Sequence, residues 1–139
     1  MGTLLGLLDQ TPQPTLANVQ KLVARMAEAG LEVRFVIEGE RRPLPAALEV
    51  SAFRVVQEGL TNVVEHASRA HASVVVRYDP DRLQIDVEDD GHGSVRGAGG
   101  RRGLAGLSER LTVFGGLLEA GSLPRGGWKL QATFPLASR

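Results

Sequence analysis

Two neighbouring aspartates, Asp89 and Asp90, followed by alternating glycines are the strongest candidates for chemistry in this chain. They come directly after residues 83–88, where hydrophobic and polar residues alternate. Alternate side chains of a strand point to opposite faces, so Asp89 shares a face with Ile85 and Val87. A carboxylate among apolar side chains is costly unless it is hydrogen-bonded, and the amino group of a ligand is one natural partner. We therefore expect Asp89, and not Asp90, to face a binding pocket.

A second candidate is a polar stripe on a predicted helix, formed by Arg54, Glu58 and Asn62 at a spacing of four residues. Such a stripe is one face of a helix. It could be a solvated face, or it could place a carboxylate and an amide in a pocket where oxygen ligands hold Mg²⁺ and orient phosphates. In the second case Glu58 would serve as a general base. The spacing alone does not separate these interpretations.

A third candidate is the glycine-containing segment 101–110, which includes Gly103 and Gly106. A glycine at the start of a helix lets backbone N–H groups approach an anion, which the helix dipole also favours. Alone, such a segment most often marks a turn. Its position after the two other candidates makes it the third wall of one nucleotide site.

Hydrophobic periodicity predicts the elements that position these residues. Helices are predicted at about 15–29, 46–67 and 104–114, and strands at 32–38, 73–78, 83–88, 117–120 and 128–134. Residues 91–102 are glycine-rich and aperiodic, which predicts a mobile loop. The order of elements predicts an α/β two-layer sandwich, with a mixed β-sheet and helices packed on one face.

Composition excludes several classes of function. The 139 residues fit one domain, and 16 basic residues balance 16 acidic ones, which gives no electrostatic basis for binding nucleic acid or an anionic membrane. There is no cysteine, so disulfides and thiolate metal sites are excluded. No apolar run approaches the roughly 20 residues of a membrane span. We expect a cytoplasmic domain without direct membrane contact, whose parent protein could still be membrane-anchored.

The three candidates together resemble a known family. The segment 57–67 is similar to an asparagine-containing N box, and the segments 89–93 and 103–110 resemble the first and second glycine boxes. These boxes belong to the ATP-binding catalytic domain of sensor histidine kinases, in the branch that pairs with NarL-type response regulators. The wider group shares the Bergerat fold with DNA gyrase, a heat-shock chaperone and MutL repair proteins. The resemblance covers about residues 15–136, and three boxes in order are specific.

The resemblance implies roles for the matching residues, with ATP and Mg²⁺ as cofactors. Asn62 resembles the Mg²⁺-binding asparagine, and Glu58 the residue that activates the attacking group and could also contact the metal. Asp89 resembles the aspartate that accepts a hydrogen bond from the adenine amino group. The other expected ATP contacts are Gly91, Gly93, Arg102, Gly103, Leu104 and Gly106.

The sequence departs from the family pattern at three positions. Arg101 replaces the first glycine of the second glycine box, Glu65 stands where many members carry a basic residue, and Trp128 stands where a threonine is common. Because of these departures, a non-catalytic nucleotide-sensing module is an alternative interpretation of the chain. An anti-sigma-factor-type serine kinase is a third interpretation, although the residues of the boxes favour the NarL-type branch.

The resemblance also implies partners. None of the three histidines, His66, His71 and His92, is a credible phosphoacceptor. The expected acceptor is a histidine on a separate dimerisation domain of the same protein, which takes the γ-phosphoryl group of ATP for relay to a NarL-type response regulator. We expect residues 1–14 to be a linker or the end of a dimerisation helix, and residues 15–139 to be a monomeric ATP-binding catalytic domain.

Overall fold

A computed structural model of the chain describes residues 15–66, 71–90, 98–124 and 126–137, with the backbone alone at 66 and 98–103. A short 3-10 turn, Leu16–Asn18, precedes the helices α1 (Val19–Glu28), α2 (Ala46–His66) and α3 (Ala98–Thr112). The strands are β1 (Glu32–Gly39), β2 (His71–Tyr78), β3 (Arg82–Asp89), β4 (Leu117–Ser122) and β5 (Trp128–Pro135). The predicted order of helices and strands is confirmed. The predicted linker at residues 1–14 lies outside the described residues.

The strands form one mixed sheet in the order β1-β2-β3-β5-β4. β1 and β2 are parallel, because α2 carries the chain from the end of one strand back to the start of the next. The remaining neighbours are antiparallel, and β2 and β3 form a hairpin around Asp79, whose N–H donates to the carbonyl of Arg82 (2.9 Å). The α/β fold with a mixed sheet is therefore as predicted.

The hydrophobic core lies between the helices and one face of this sheet. In β2, β3 and β5 every second residue is buried, as the alternation of the sequence predicts. α2 supplies most of the opposing layer through Val55, Val56, Leu60 and Val63, all completely buried. The other face of the sheet is half-exposed and polar, and there Gln131 Nε2 donates to Asp86 Oδ1 (3.0 Å). None of the described helices is long and apolar enough to cross a membrane.

Two predicted boundaries differ from the observed ones by more than two residues. The first helix, predicted over residues 15–29, is divided into the 3-10 turn and α1. The loop predicted to reach Arg102 ends earlier, because α3 already begins at Ala98. Leu107 and Leu111 are buried against the core, and packing of that face stabilises a helix that continues through the poor helix formers upstream. Residues 91–97, the rest of the predicted mobile loop, lie outside the described residues.

Candidate functional site

Asp89 is the last residue of β3 and is only 4% exposed. It faces the helical layer with Ile85 and Val87, whereas Asp90 is exposed, as the alternation predicts. Its neighbours across the sheet are Ala72 on β2 and Trp128 on β5, both buried. The candidate carboxylate therefore lies at the inner edge of the core, at one end of the sheet.

Helix α2 comes into close contact with β3 just before Asp89. A Cβ atom added to Gly59 would lie 2.8 Å from Cγ1 of Val87, closer than two carbon atoms pack. Glycine is required here because no other residue lets the helix backbone approach the strand this closely. This contact fixes the position of α2 along the direction of β3, close to the end of the strand.

The direction of α2 follows from contacts at its other end. Leu48, in the first turns of α2, lines a cavity of about 280 Å³ together with Pro135 and Leu136. Pro135 pairs with Arg82, at the opposite end of β3 from Asp89. Since the start of α2 lies near that end and Gly59 contacts the strand near the other, α2 runs in the same direction as β3.

Asn62 follows Gly59 by one turn and therefore lies towards the Asp89 end of the sheet. It is 2% exposed and has a polar partner of its own. Glu58 is half-buried and Arg54 is exposed. The solvated-face interpretation of the stripe therefore holds for Arg54 and fails for Asn62, and the stripe runs from solvent at Arg54 into the site at Asn62.

The residues of the second glycine box lie along α3. Leu104 is half-buried, and Gly106 is exposed with open space around the position of a Cβ. Gly103 was expected at the start of this helix, but α3 begins at Ala98, which places Gly103 inside the helix. Only the first four N–H groups of a helix lack an intrahelical acceptor, so the N–H of Gly103 is not one of those left free for an anion. Arg102 is likewise helical, and Gly91 and Gly93 lie outside the described residues.

Two features beside Asp89 are not predicted by the sequence patterns. Gly127 has φ +94°, and a Cβ added there would lie 2.1 Å from the carbonyl oxygen of Asp89. The backbone directly before β5 therefore lies too close to Asp89 for a side chain at residue 127. The sequence feature that could have predicted this contact is the pair Gly126-Gly127 directly before a strand, because glycines there are typical of close backbone approach.

The second feature is a polar cluster at the same end of the sheet. The backbone N–H of His71 donates to Asp90 Oδ1 (2.6 Å), and the His71 imidazole contacts Asp90 Oδ2 through Nδ1 (3.3 Å) and Glu32 Oε2 through Nε2 (3.1 Å). The hydrogen bond from the His71 backbone holds the pKa of Asp90 below its usual value. This cluster borders a cavity of about 500 Å³ on the polar face of the sheet, which also reaches Asp89.

The family model of the histidine kinase-, DNA gyrase B- and HSP90-like ATPases matches residues 47–138, which contain all of the residues placed above except Glu32. The chain belongs to this family. Its match includes α2, β3 and α3, the three elements that carry the candidate site. The family predicted from the three boxes is therefore confirmed, and the chain is an ATP-binding domain of the kind found in sensor histidine kinases.

Similar proteins agree with this assignment. The sensor histidine kinase LnrJ of Bacillus subtilis is 31% identical over 111 residues, which cover 80% of this chain and 28% of that protein. The histidine-protein kinase/phosphatase UhpB of Salmonella typhimurium is 32% identical over 121 residues, which cover 83% of this chain and 24% of that protein. The chain thus spans about a quarter of the length of these relatives.

The fold is also that of solved histidine kinases. The blue-light activated histidine kinase of Erythrobacter litoralis superposes with a TM-score of 0.67 at 20% identity, over 89% of this chain and 46% of that chain. At this level of identity the likeness concerns the fold, and it agrees with the Bergerat fold predicted from the sequence.

The donor set of this ATPase domain fits a metal that arrives with the nucleotide. Among the described residues, no group of three or more His, Asp or Glu side chains could hold a metal ion. Mg²⁺ bound with a nucleotide takes most of its ligands from phosphates and water and needs only one or two from the protein. The amide of Asn62 and the half-buried carboxylate of Glu58 are ligands of the type that such an ion takes.

Proposed function

We propose that this chain is the ATP·Mg²⁺-binding catalytic domain of a two-component sensor histidine kinase, and that it transfers the γ-phosphoryl group of ATP to a histidine on a separate dimerisation domain. The observation that carries the proposal is that Asp89 and Asn62, two of the three buried polar residues described, lie towards the same end of the sheet, with Glu58 half-buried one turn before Asn62.

Asp89 is proposed to bind adenine. Its carboxylate is buried at the inner edge of the sheet, where accepting a hydrogen bond from the amino group of the base offsets the cost of its burial. Trp128 is its cross-strand neighbour, so the two side chains lie on the same face of the sheet. An indole in this position supplies apolar surface beside the base. Gly91 and Gly93 are proposed to let the chain after Asp89 pass close to the nucleotide.

Asn62 is proposed to hold Mg²⁺ through its amide oxygen, with Glu58 as a possible second ligand. The ion, when bound, neutralises negative charge that develops on the transferring phosphoryl group. Because Asn62 is buried and its helix is fixed against β3 at Gly59, its amide is held in one place relative to Asp89. The distance between the adenine and phosphate sites is then set by the core.

Glu58 is proposed to act as the general base. It is one helical turn before Asn62 on the same stripe, and it is half-buried, so it borders both the site and solvent. From there its carboxylate can accept a hydrogen bond from the attacking imidazole and take up its proton as the P–N bond forms and the P–O bond to the leaving ADP breaks. Arg102, Gly103, Leu104 and Gly106 are proposed to line the phosphate side.

The phosphoacceptor is proposed to lie on another domain. His71 is a poor acceptor, because both of its ring nitrogens contact carboxylates of this chain. The wording of the three boxes further supports a NarL-type response regulator as the protein that receives the phosphoryl group next.

The test is to mix the purified chain with the histidine-bearing dimerisation domain of a relative, such as LnrJ, and γ-labelled ATP, and to measure phosphohistidine. The wild-type chain should form it, and Glu58→Gln should reduce the rate at saturating ATP about 100-fold. Glu28→Gln, the same change at an exposed position of α1, is the control and should leave the rate unchanged. ATP binding without any phosphohistidine on several such domains would overturn the kinase assignment and favour a nucleotide sensor.

A further inference from the structure

The end of β3 has an unusual hydrogen-bonding arrangement. Residue 90 continues the antiparallel ladder beyond the pair Ala72 and Asp89, and its N–H donates to the carbonyl of His71 (3.1 Å). The reciprocal bond, from the N–H of His71, goes to the carboxylate of Asp90 (2.6 Å). In a regular ladder this acceptor would be the backbone carbonyl of residue 90. The Asp90 side chain therefore takes the place of the main chain.

The replacement of a backbone acceptor by the Asp90 carboxylate ends the strand at a defined residue. Since the carboxylate satisfies the N–H of His71, the carbonyl of Asp90 is not needed by the ladder and the chain can turn away immediately after Asp89. On the opposite side, the carbonyl of Asp89 lies against Gly127, the residue directly before β5. The backbone of Asp89 is thus held from both sides at the point where its side chain enters the site.

The backbone bond is the stronger part of this arrangement. The contacts of the His71 imidazole with Asp90 and Glu32 join pairs of side chains that are largely exposed to solvent, and exposed ion pairs of this kind contribute little. The bond from the His71 N–H ends on the same exposed carboxylate, but it is short, its acceptor is charged and its donor belongs to the strand backbone, so only one side chain has to be ordered.

We propose that Asp90 is a positioning residue for nucleotide recognition: its carboxylate caps β3 through the backbone of His71 and so holds Asp89 in the orientation that recognises the amino group of adenine. This inference rests on the proposed role of Asp89 as the adenine contact. It differs from a purely structural role because it predicts an effect on base selectivity.

The experiment compares the affinities of ADP and inosine diphosphate, which lacks the amino group, by calorimetry. Wild-type protein should prefer ADP. Asp90→Ala should weaken ADP binding about tenfold and leave inosine diphosphate binding nearly unchanged, since only the base contact is misplaced. Asp90→Asn keeps an oxygen that accepts the His71 N–H and should restore the preference for ADP.

A further variant separates the backbone bond from the imidazole. His71→Ala keeps the backbone N–H and removes only the exposed side-chain contacts, so it should keep the preference for ADP. Thermal unfolding of all variants reports any loss of fold.

Each outcome has one meaning. If Asp90→Ala keeps the ADP preference, or lowers both affinities equally together with the melting temperature, the positioning role is overturned while the role of Asp89 stands. If the wild-type chain itself binds both nucleotides equally, the adenine assignment of Asp89 is overturned, and the inference that rests on it falls too. Loss of the preference in His71→Ala would place the effect in the imidazole and contradict the backbone cap.

Discussion

The two described walls of the candidate site differ in how they are built. At the end of β3, backbones approach to the limit: a Cβ at Gly59 would overlap Val87, and a Cβ at Gly127 would overlap the carbonyl of Asp89. On α3, a Cβ at Gly106 would meet nothing within 4 Å. The wall that carries Asp89 and Asn62 is part of the core, whereas the wall that carries Gly106 presents open surface.

This difference predicts how the two walls respond to substitution. In the wall that carries Asp89 and Asn62, called the β3 wall below, steric changes are expected to reduce stability. Changes of a polar group that conserve its shape are expected to reduce nucleotide binding. On α3, the same addition of a methyl group has no packing cost, so any loss it causes must come from the bound nucleotide. A substitution in one wall that has the effect expected for the other wall would contradict this difference.

The largest effect is expected from Asp89→Asn. The amide is the same size as the carboxylate, so the fold should be retained, but the charged acceptor for the adenine amino group is lost. We expect ATP affinity to fall about 100-fold, as for a buried hydrogen bond to a charged group. Calorimetry measures the affinity, and fluorescence of Trp128, the single tryptophan of the chain and the cross-strand neighbour of Asp89, gives a second readout.

The matched control for this variant is Asp86→Asn. It makes the same change on the same strand, but on the opposite, polar face of the sheet, where Asp86 accepts from Gln131. ATP affinity should be unchanged in this control. Equal affinities of Asp89→Asn and wild type would refute the adenine assignment.

Gly59→Ala tests the packing of the β3 wall. The added Cβ would lie 2.8 Å from Cγ1 and 2.9 Å from Cβ of Val87, so the helix or the strand must shift. Overpacking of this kind costs about 1–3 kcal/mol of unfolding free energy. Chemical denaturation measures the loss. An unchanged midpoint would show that α2 is not fixed against β3, and the argument that places Asn62 relative to Asp89 would fail.

Asn62→Asp tests the metal role of the same wall. A carboxylate at this buried position beside the triphosphate should repel it, and it is still an oxygen ligand that Mg²⁺ accepts. We expect ATP affinity to fall about tenfold without Mg²⁺, and by less in Mg²⁺, because the ion offsets the repulsion. Titrations with ATP in the presence of Mg²⁺ and in the presence of EDTA measure the two affinities separately.

Gln57→Glu is the control for Asn62→Asp, because it adds the same charge to an exposed position of α2. It should leave both titrations unchanged. If Asn62→Asp lowers affinity equally with and without Mg²⁺, the metal role of Asn62 is wrong.

The sequence predicts the β3 wall better than the α3 wall, and the reason is physical. Alternation in β3 determines which aspartate faces inward, because a strand has only two faces. The start of α3 could not be predicted, because glycines at residues 99 and 100 favour a loop while the buried Leu107 and Leu111 stabilise the helix by tertiary packing. The Asp90 cap depends on residues of two strands that are distant in sequence, and no local pattern contains it.

The smallest change in stability is expected from Gly106→Ala, the counterpart of Gly59→Ala on α3. Alanine is the better helix former, and the position has open space, so the unfolding free energy should rise by about 0.5–1 kcal/mol. If α3 lines the phosphates, the added methyl group should nonetheless reduce ATP affinity, because it occupies space that only the nucleotide needs. A more stable protein with weaker ATP binding would separate the two walls. A more stable protein with unchanged ATP binding would remove Gly106 from the site.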